Sequence, residues 1–141
     1  MVPIPDAQAQ ADITAKLNAL ALALESHDKW TPPRPHPTLF HIWDFVKRSH
    51  YIMTELDNIR HGRELKHPDQ IPSLNSGWTV QDNEEKAQKS FFDVVTRTIT
   101  INKILEKPSE LTMMGMPSIE FNDDIKAKGQ AVQDAIMSVP E

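Results

Sequence analysis

The chain has no cysteine, and only four glycines and one tyrosine occur in its 141 residues. Without cysteine it can form neither a disulfide framework nor a cysteine-ligated zinc or iron–sulfur site. The four glycines are scattered, so no glycine-rich loop for phosphate or dinucleotide binding is present. Of all residues in the chain, 39% are hydrophobic and 25% are charged. At this length, such a composition predicts a single domain spanning residues 1–141.

Long hydrophobic runs are also missing. No stretch approaches the roughly 18 consecutive apolar residues that a membrane-spanning helix requires. A secretory signal needs a basic start and an apolar run, but Pro3, Pro5 and Asp6 occupy that place. We therefore expect a cytoplasmic or otherwise intracellular protein with no signal peptide, no transmembrane segment and no contact with a membrane.

Apolar residues recur at the spacing of one helix face in four segments. The predicted helices span approximately residues 7–25, 39–63, 82–106 and 118–138. In the second, Phe45, Ile52 and Ile59 repeat every seven residues, which is typical of a helix that packs against other helices. Phe40 and Trp43 broaden this apolar stripe, and Glu55 is expected on the opposite, exposed face. The apolar face of the first predicted helix consists of Ile13, Leu17, Leu20, Ala21 and Leu24. The sequence thus predicts an all-α fold, an irregular three- to four-helix bundle. One stretch leaves an alternative open, because residues 94–101 are β-branched except for Arg97 and could form a strand.

Three connectors join these helices: a proline-rich strap at residues 29–38 and loops at 66–79 and 107–117. Four prolines in the strap exclude a helix and predict an extended chain. The strap could be a ligand for a polyproline-binding groove. We favour a stiff connector that pins Trp30 into the core.

The best candidate for catalysis is a row on the second helix, formed by His50, Thr54, Asp57 and His61. Its offsets of four, seven and eleven residues place these side chains along one line. A metal site, however, needs several ligands that converge, and di-iron bundles carry a Glu-x-x-His motif on each of two helices, which this chain does not. We therefore predict no enzyme, no metal and no cofactor. A bundle enzyme or metal-binding protein using His50, Asp57 and His61 is the first alternative.

Charge is unevenly distributed in this acidic chain, whose formal net charge is −5. Residues 29–67 hold seven basic and four acidic residues, a net charge of +3, together with five of the six histidines. Nucleic-acid binding requires several cations to contact phosphates together. Because acidic residues interleave with these cations, nucleic-acid binding through residues 47–67 is only the second alternative.

Association with other proteins is the leading prediction. Aromatic residues and methionine are enriched at the centres of protein interfaces. The candidate partner-binding residues are Trp30, Trp43, Tyr51, Trp78, Met113, Met114 and Met116. All of them could instead belong to the protein's own core. The sequence predicts a non-catalytic interaction protein, or a structural or assembly subunit, that docks through apolar helix faces onto other subunits or further copies of itself.

Overall fold

The computed structural model describes residues 4–67, 83–108 and 115–139. They form four helices: α1 (Ala7–Glu25), α2 (Pro37–Arg60), α3 (Asn83–Glu106) and α4 (Asp123–Met137). No strand occurs among the described residues, so the predicted all-α bundle is confirmed. Within this same part of the chain, no helix combines the length and the apolar character that crossing a membrane requires.

The helix bounds follow from local chemistry at their ends. Asp6 caps α1 by accepting a hydrogen bond from the Ala9 backbone N–H at 2.8 Å, and α1 has its predicted bounds. The helix α2 ends three residues before the predicted bound, because Gly62 adopts a left-handed φ of 66°. The Arg63 N–H then donates to the Asn58 carbonyl at 2.8 Å, which closes the helix end.

The β-branched stretch 94–101 lies within α3. Its threonines do not need a strand, since the hydroxyls of Thr96, Thr98 and Thr100 donate to carbonyls one turn earlier. Phe91 and Val94 are buried on the inner side of the same helix. The helical period of the apolar residues therefore outweighs the strand propensity of the stretch.

Each helix packs against two others, in the cyclic order α1, α2, α3, α4. The end of α2 meets the start of α3, where Arg60 contacts Glu84 at 3.3 Å. His27, just after α1, approaches the Glu120 carbonyl, just before α4, at 2.9 Å. In both pairs the end of one helix meets the start of the other, so α2 and α3, and likewise α1 and α4, run antiparallel. All four contribute to one core, whose α1 members are the predicted Ile13, Leu17, Leu20, Ala21 and Leu24.

Two predictions about α2 are wrong. Glu55, expected on the exposed side, is fully buried, because it accepts hydrogen bonds from Asn58 Nδ2 and from the His67 backbone N–H. Phe40, expected to broaden the buried stripe, is instead 46% exposed. The outer side of α2 is consequently more apolar, and its inner side more polar, than the sequence indicates.

The strap is a closed loop, and the expectation of an extended chain is wrong. The His36 N–H donates to the Lys29 carbonyl at 3.1 Å, and the Arg34 N–H donates to the Thr31 carbonyl at 3.0 Å. The two ends of the strap therefore meet. Trp30 is only half-buried, and it packs against the outer surface of α2 as well as against the core.

Candidate docking site on the second helix

Three aromatic rings pack together where the strap meets the start of α2. The ring centroids of Trp30 and Trp43 lie 5.0 Å apart, and those of Phe40 and Trp43 lie 5.6 Å apart. Trp30 and Phe40 are stacked, with centroids 6.4 Å apart and planes 13° from parallel. We call these three residues the aromatic cluster. They contact one another on the outside of the bundle, because Phe40 is exposed and both tryptophans are half-buried.

The cluster continues along α2 through Lys47 and Tyr51. Positions 40, 43, 47 and 51 are separated by three or four residues and therefore share one side of the helix. The Lys47 Nζ lies 6.0 Å from the ring centroid of Trp43 and 5.3 Å from that of Tyr51. These are cation–π distances, worth about 0.5–1 kcal/mol near the surface. The aromatic cluster together with Lys47 and Tyr51 is the aromatic face.

Two histidines border the far end of this face. The Tyr51 ring centroid lies 5.8 Å from that of His50 and 5.0 Å from that of His67. The Nδ1 atoms of both histidines are buried and have no hydrogen-bond partner among the described residues. Burial, followed by the positive charge of Lys47 and then by His67, lowers the pKa of His50 from its ordinary value of 6.5.

Glu55 determines where His67 lies. Its buried carboxylate accepts from the His67 backbone N–H at 2.8 Å and from Asn58 Nδ2 at 2.9 Å. These two bonds hold the chain after α2 against the helix, which brings the His67 ring beside Tyr51. The buried carboxylate is thus a structural anchor for one end of the aromatic face.

The cations of this region differ in their partners. Of the five arginines, Arg48, Arg60, Arg63 and Arg97 each contact a carboxylate within 2.6–3.3 Å. Arg34 in the strap has no ion pair in the part of the chain that the structure describes, and neither have Lys29 and Lys47. Three cations on or next to the elements that carry the aromatic cluster therefore have no carboxylate partner among the described residues.

The predicted partner-binding residues are only partly brought together. Trp30, Trp43 and Tyr51 share the aromatic face, whereas Met116 packs, partly buried, against the core. The predicted Trp78, Met113 and Met114 lie outside the described residues. Sequence reasoning missed Phe40 and Lys47 as members of the face. Their spacing with Trp43 and Tyr51 was the available signal, but it is equally typical of a buried stripe.

The predicted catalytic row is divided in the structure. His50 lies with Tyr51, whereas the Asp57 carboxylate contacts His61 Nε2 at 3.3 Å and the Arg63 guanidinium at 2.6 Å. The Thr54 hydroxyl donates to the His50 carbonyl at 2.9 Å. Across residues 4–67, 83–108 and 115–139, no three histidine, aspartate or glutamate side chains converge in the manner of a metal site.

An open groove of about 490 Å³ lies between α3 and α4. Its lining residues are Ile99, Asn102, Lys103, Glu106, Lys107 and Gln133. The Asn102 amide is already engaged, because its Nδ2 donates to the Gly129 carbonyl at 3.1 Å and to Gln133 Oε1 at 2.8 Å. The polar contacts of Asn102 and Gln133 therefore join α3 to α4 in this groove.

Comparison with known proteins identifies neither a family nor a function for this chain. The sequence matches no protein-family model, and no significant match is found among curated proteins or solved structures.

Proposed function

We propose that this protein is a non-catalytic binding module that docks onto another protein through the aromatic face of α2. The observation that carries the proposal is the aromatic cluster, in which one exposed phenylalanine and two half-buried tryptophans contact one another on the outside of the bundle. Tryptophan and other aromatic residues supply much of the binding energy at the centres of protein interfaces.

The rigid backbone that holds the three rings supports this function. Phe40 and Trp43 belong to a helix of 24 residues whose inner side is part of the core. Trp30 is held against them by a strap closed through backbone hydrogen bonds. Aromatic side chains on a rigid element lose little conformational entropy on binding, so more of their contact energy contributes to affinity.

A module of this kind suits an adaptor, or a structural or assembly subunit of a larger complex. The bundle supplies a stable scaffold, and the face supplies the contact. Burying a large aromatic side chain against a partner contributes roughly 1.5–3 kcal/mol. A free protein that already holds two or three such side chains in place loses less of this contribution to ordering when it binds.

Site-specific photo-crosslinking tests the proposal. A photoreactive phenylalanine analogue is placed at Phe40 or, as the matched control, at Phe92 on α3, which is 51% exposed. We expect a protein adduct of defined mass from position 40 and none from position 92. Adding Trp30→Ala should remove that adduct, because it removes one ring of the aromatic cluster. Equal labelling from both positions, or no adduct from position 40, would contradict the proposal.

A further inference from the structure

We infer that the partner seated on the aromatic face is an acidic peptide segment, with carboxylates on either side of an apolar side chain. This inference rests on the proposed function and names the chemistry of its partner. It is carried by three cations, Lys29, Arg34 and Lys47, that border the aromatic cluster without a carboxylate partner among the described residues.

Lys47 is the most informative of the three. Its Nζ lies over the rings of Trp43 and Tyr51, and the side chain is half-buried. A comparable contact occurs on α3, where the Arg97 guanidinium lies 5.2 Å from the Phe45 ring centroid. Arg97 also contacts the Asp93 carboxylate at 3.0 Å, whereas Lys47 contacts none in the described part of the chain. The ammonium group of Lys47 is therefore held over two rings, with no carboxylate beside it among the described residues.

The other two cations belong to the strap, which precedes α2, whereas Lys47 lies further along that helix. Lys29 and Arg34 are exposed, and the hydrogen bonds that close the strap keep their backbone close to that of Trp30. Of the nearest carboxylates along the sequence, Asp44 contacts Arg48 at 3.0 Å, and Asp28 lies beside the His27 ring without an ion pair to Lys29 or Arg34.

This arrangement sets the length of the partner segment. Phe40 and Lys47 are seven positions apart, which corresponds to about 10 Å along a helix that rises 1.5 Å per residue. A short segment can therefore cover the rings with an apolar side chain while its carboxylates reach Lys47 at one end and the strap cations at the other. Such rim contacts mainly set the association rate and the salt dependence, whereas the rings supply most of the affinity.

The distribution of charge along the chain also favours an acidic partner at the aromatic face. Residues 29–67 carry a net charge of +3, whereas residues 1–28 carry −3 and residues 68–141 carry −5. An acidic partner is therefore attracted to the segment that contains the aromatic face and repelled by the rest of the chain.

Peptide selection tests the inference directly. A phage-displayed library of random 12-residue peptides is selected against the full chain, and the enriched peptides are synthesised with a fluorescent label. We expect peptides in which Asp or Glu lies on both sides of an aromatic or aliphatic residue. Their affinity should fall at least about tenfold in Phe40→Ala, a loss of about 1.4 kcal/mol. Phe40 is exposed, so this variant should keep its helical circular dichroism.

A matched pair of double variants separates the cations from overall charge. Arg34→Gln with Lys47→Gln removes two of the three cations around the aromatic cluster, whereas Lys103→Gln with Lys107→Gln removes two exposed lysines beside the groove. Both pairs change the net charge equally. Only the first should weaken peptide binding about tenfold at low salt and flatten its salt dependence. Equal effects of the two pairs would overturn the inference.

The remaining outcomes separate the inference from the proposed function. Peptides that need Phe40 but are not acidic would overturn the acidic partner and leave the docking face standing. Peptides whose binding is independent of Phe40 would contradict both. The absence of any enriched peptide would count against the inference, while the crosslinking at position 40 still decides the proposed function. A 12-nucleotide oligothymidylate is tested beside the peptides. If it bound more tightly than the selected peptides, and this binding were lost in Phe40→Ala, the partner would be single-stranded nucleic acid and not a protein.

Discussion

The helices α2 and α3 are antiparallel neighbours of 24 residues each, and each exposes one phenylalanine to a similar degree, 46% for Phe40 and 51% for Phe92. Their surroundings differ. Phe40 contacts two tryptophan rings, whereas Phe92 has no ring contact among the described residues. Exposure of a single apolar side chain is ordinary on protein surfaces. Clustering on a rigid support, and not exposure alone, distinguishes the α2 surface as a candidate docking site.

The two helices also differ in what surrounds their basic side chains. On α3, Arg97 pairs with Asp93 and Lys89 pairs with Glu85, each one turn away. On α2, Lys47 lies over two rings without a carboxylate in the described part of the chain. Exposed pairs one turn apart are worth only about 0.3–0.5 kcal/mol, so this difference has little effect on stability. Its consequence concerns position: the unpaired cation of α2 lies over two aromatic rings, whereas Lys103 of α3 has neither an ion pair nor a ring beside it among the described residues.

The largest expected effect on stability comes from the buried carboxylate of α2. Glu55→Ala removes the acceptor of the Asn58 amide and of the His67 backbone N–H. Hydrogen bonds to a charged group contribute about 1.5–3 kcal/mol, and a buried donor left without an acceptor adds to the loss. We expect the free energy of unfolding in urea to fall by about 2–3 kcal/mol.

The control for that variant lies on α3. Glu106→Ala removes an exposed carboxylate near the end of the helix and should change the free energy of unfolding by less than about 0.5 kcal/mol. Hydrogen exchange provides a second measurement. The amide of His67 should lose protection in Glu55→Ala while the buried amides of α3 keep theirs. Equal destabilisation by the two variants would show that Glu55 does not anchor the chain after α2.

A smaller effect is expected where α3 meets α4. A Cβ atom added at Gly129 would lie 2.5 Å from Asn102 Oδ1 and 2.8 Å from Leu105 Cδ1. Alanine gains about 1 kcal/mol over glycine in helix propensity, but overpacking a core costs about 1–3 kcal/mol and disturbs the two hydrogen bonds of Asn102. We expect Gly129→Ala to lower the free energy of unfolding by about 1–2 kcal/mol.

The same helix offers a control in the opposite direction. Ala127 is exposed, so Ala127→Gly should cost only the propensity difference of about 1 kcal/mol. Thermal unfolding of both variants should therefore show glycine to be the better residue at position 129 and alanine the better one at position 127. A more stable Gly129→Ala protein would mean that α3 and α4 do not approach each other as closely as the structure has them.

Much of the fold was predictable from sequence because the helical period of the apolar residues was strong and the caps were local. The α1 bounds and its buried face follow from Asp6 and the spacing of apolar residues. The end of α2 was harder, since a left-handed Gly62 ends the helix at a position that composition alone does not fix. The close approach at Gly129 depends on a neighbouring helix, and local sequence carries no information about it.

The site was less predictable, because a helical stripe of aromatic residues has the same spacing whether it is buried or exposed. Trp30 and Trp43 were identified by residue type, but Phe40 was assigned to the core. Glu55 shows the converse error. Its charge indicated an exposed position, whereas hydrogen bonds from the returning chain at His67 make burial favourable. Both errors arise because packing between segments distant in sequence determines which side of α2 faces outward.

The smallest expected effect is a change in the pH dependence of stability, and it compares a lysine of α2 with one of α3. The pKa of His50 is lowered by burial, by Lys47 and by His67. Above pH 6.5 its ring is neutral in both the folded and the unfolded chain, and its full contribution to stability is present. As the pH falls below 6.5, the unfolded chain binds a proton more readily than the folded chain does, so stability decreases.

Urea unfolding between pH 7.5 and 5.5 measures this slope. Lys47→Gln removes the second of the three causes, so the pKa of His50 should move toward its ordinary value and stability should fall less steeply with acid. His50→Gln should remove the contribution altogether. Lys89→Gln, which breaks an exposed pair with Glu85 on α3, should leave the slope as it is in the unmodified chain. If Lys47→Gln and Lys89→Gln gave the same slope, the positive charge of Lys47 would have no effect on the pKa of His50. The electrostatic distinction between the outer sides of α2 and α3 would then be lost, and only the clustering of aromatic rings would separate the two helices.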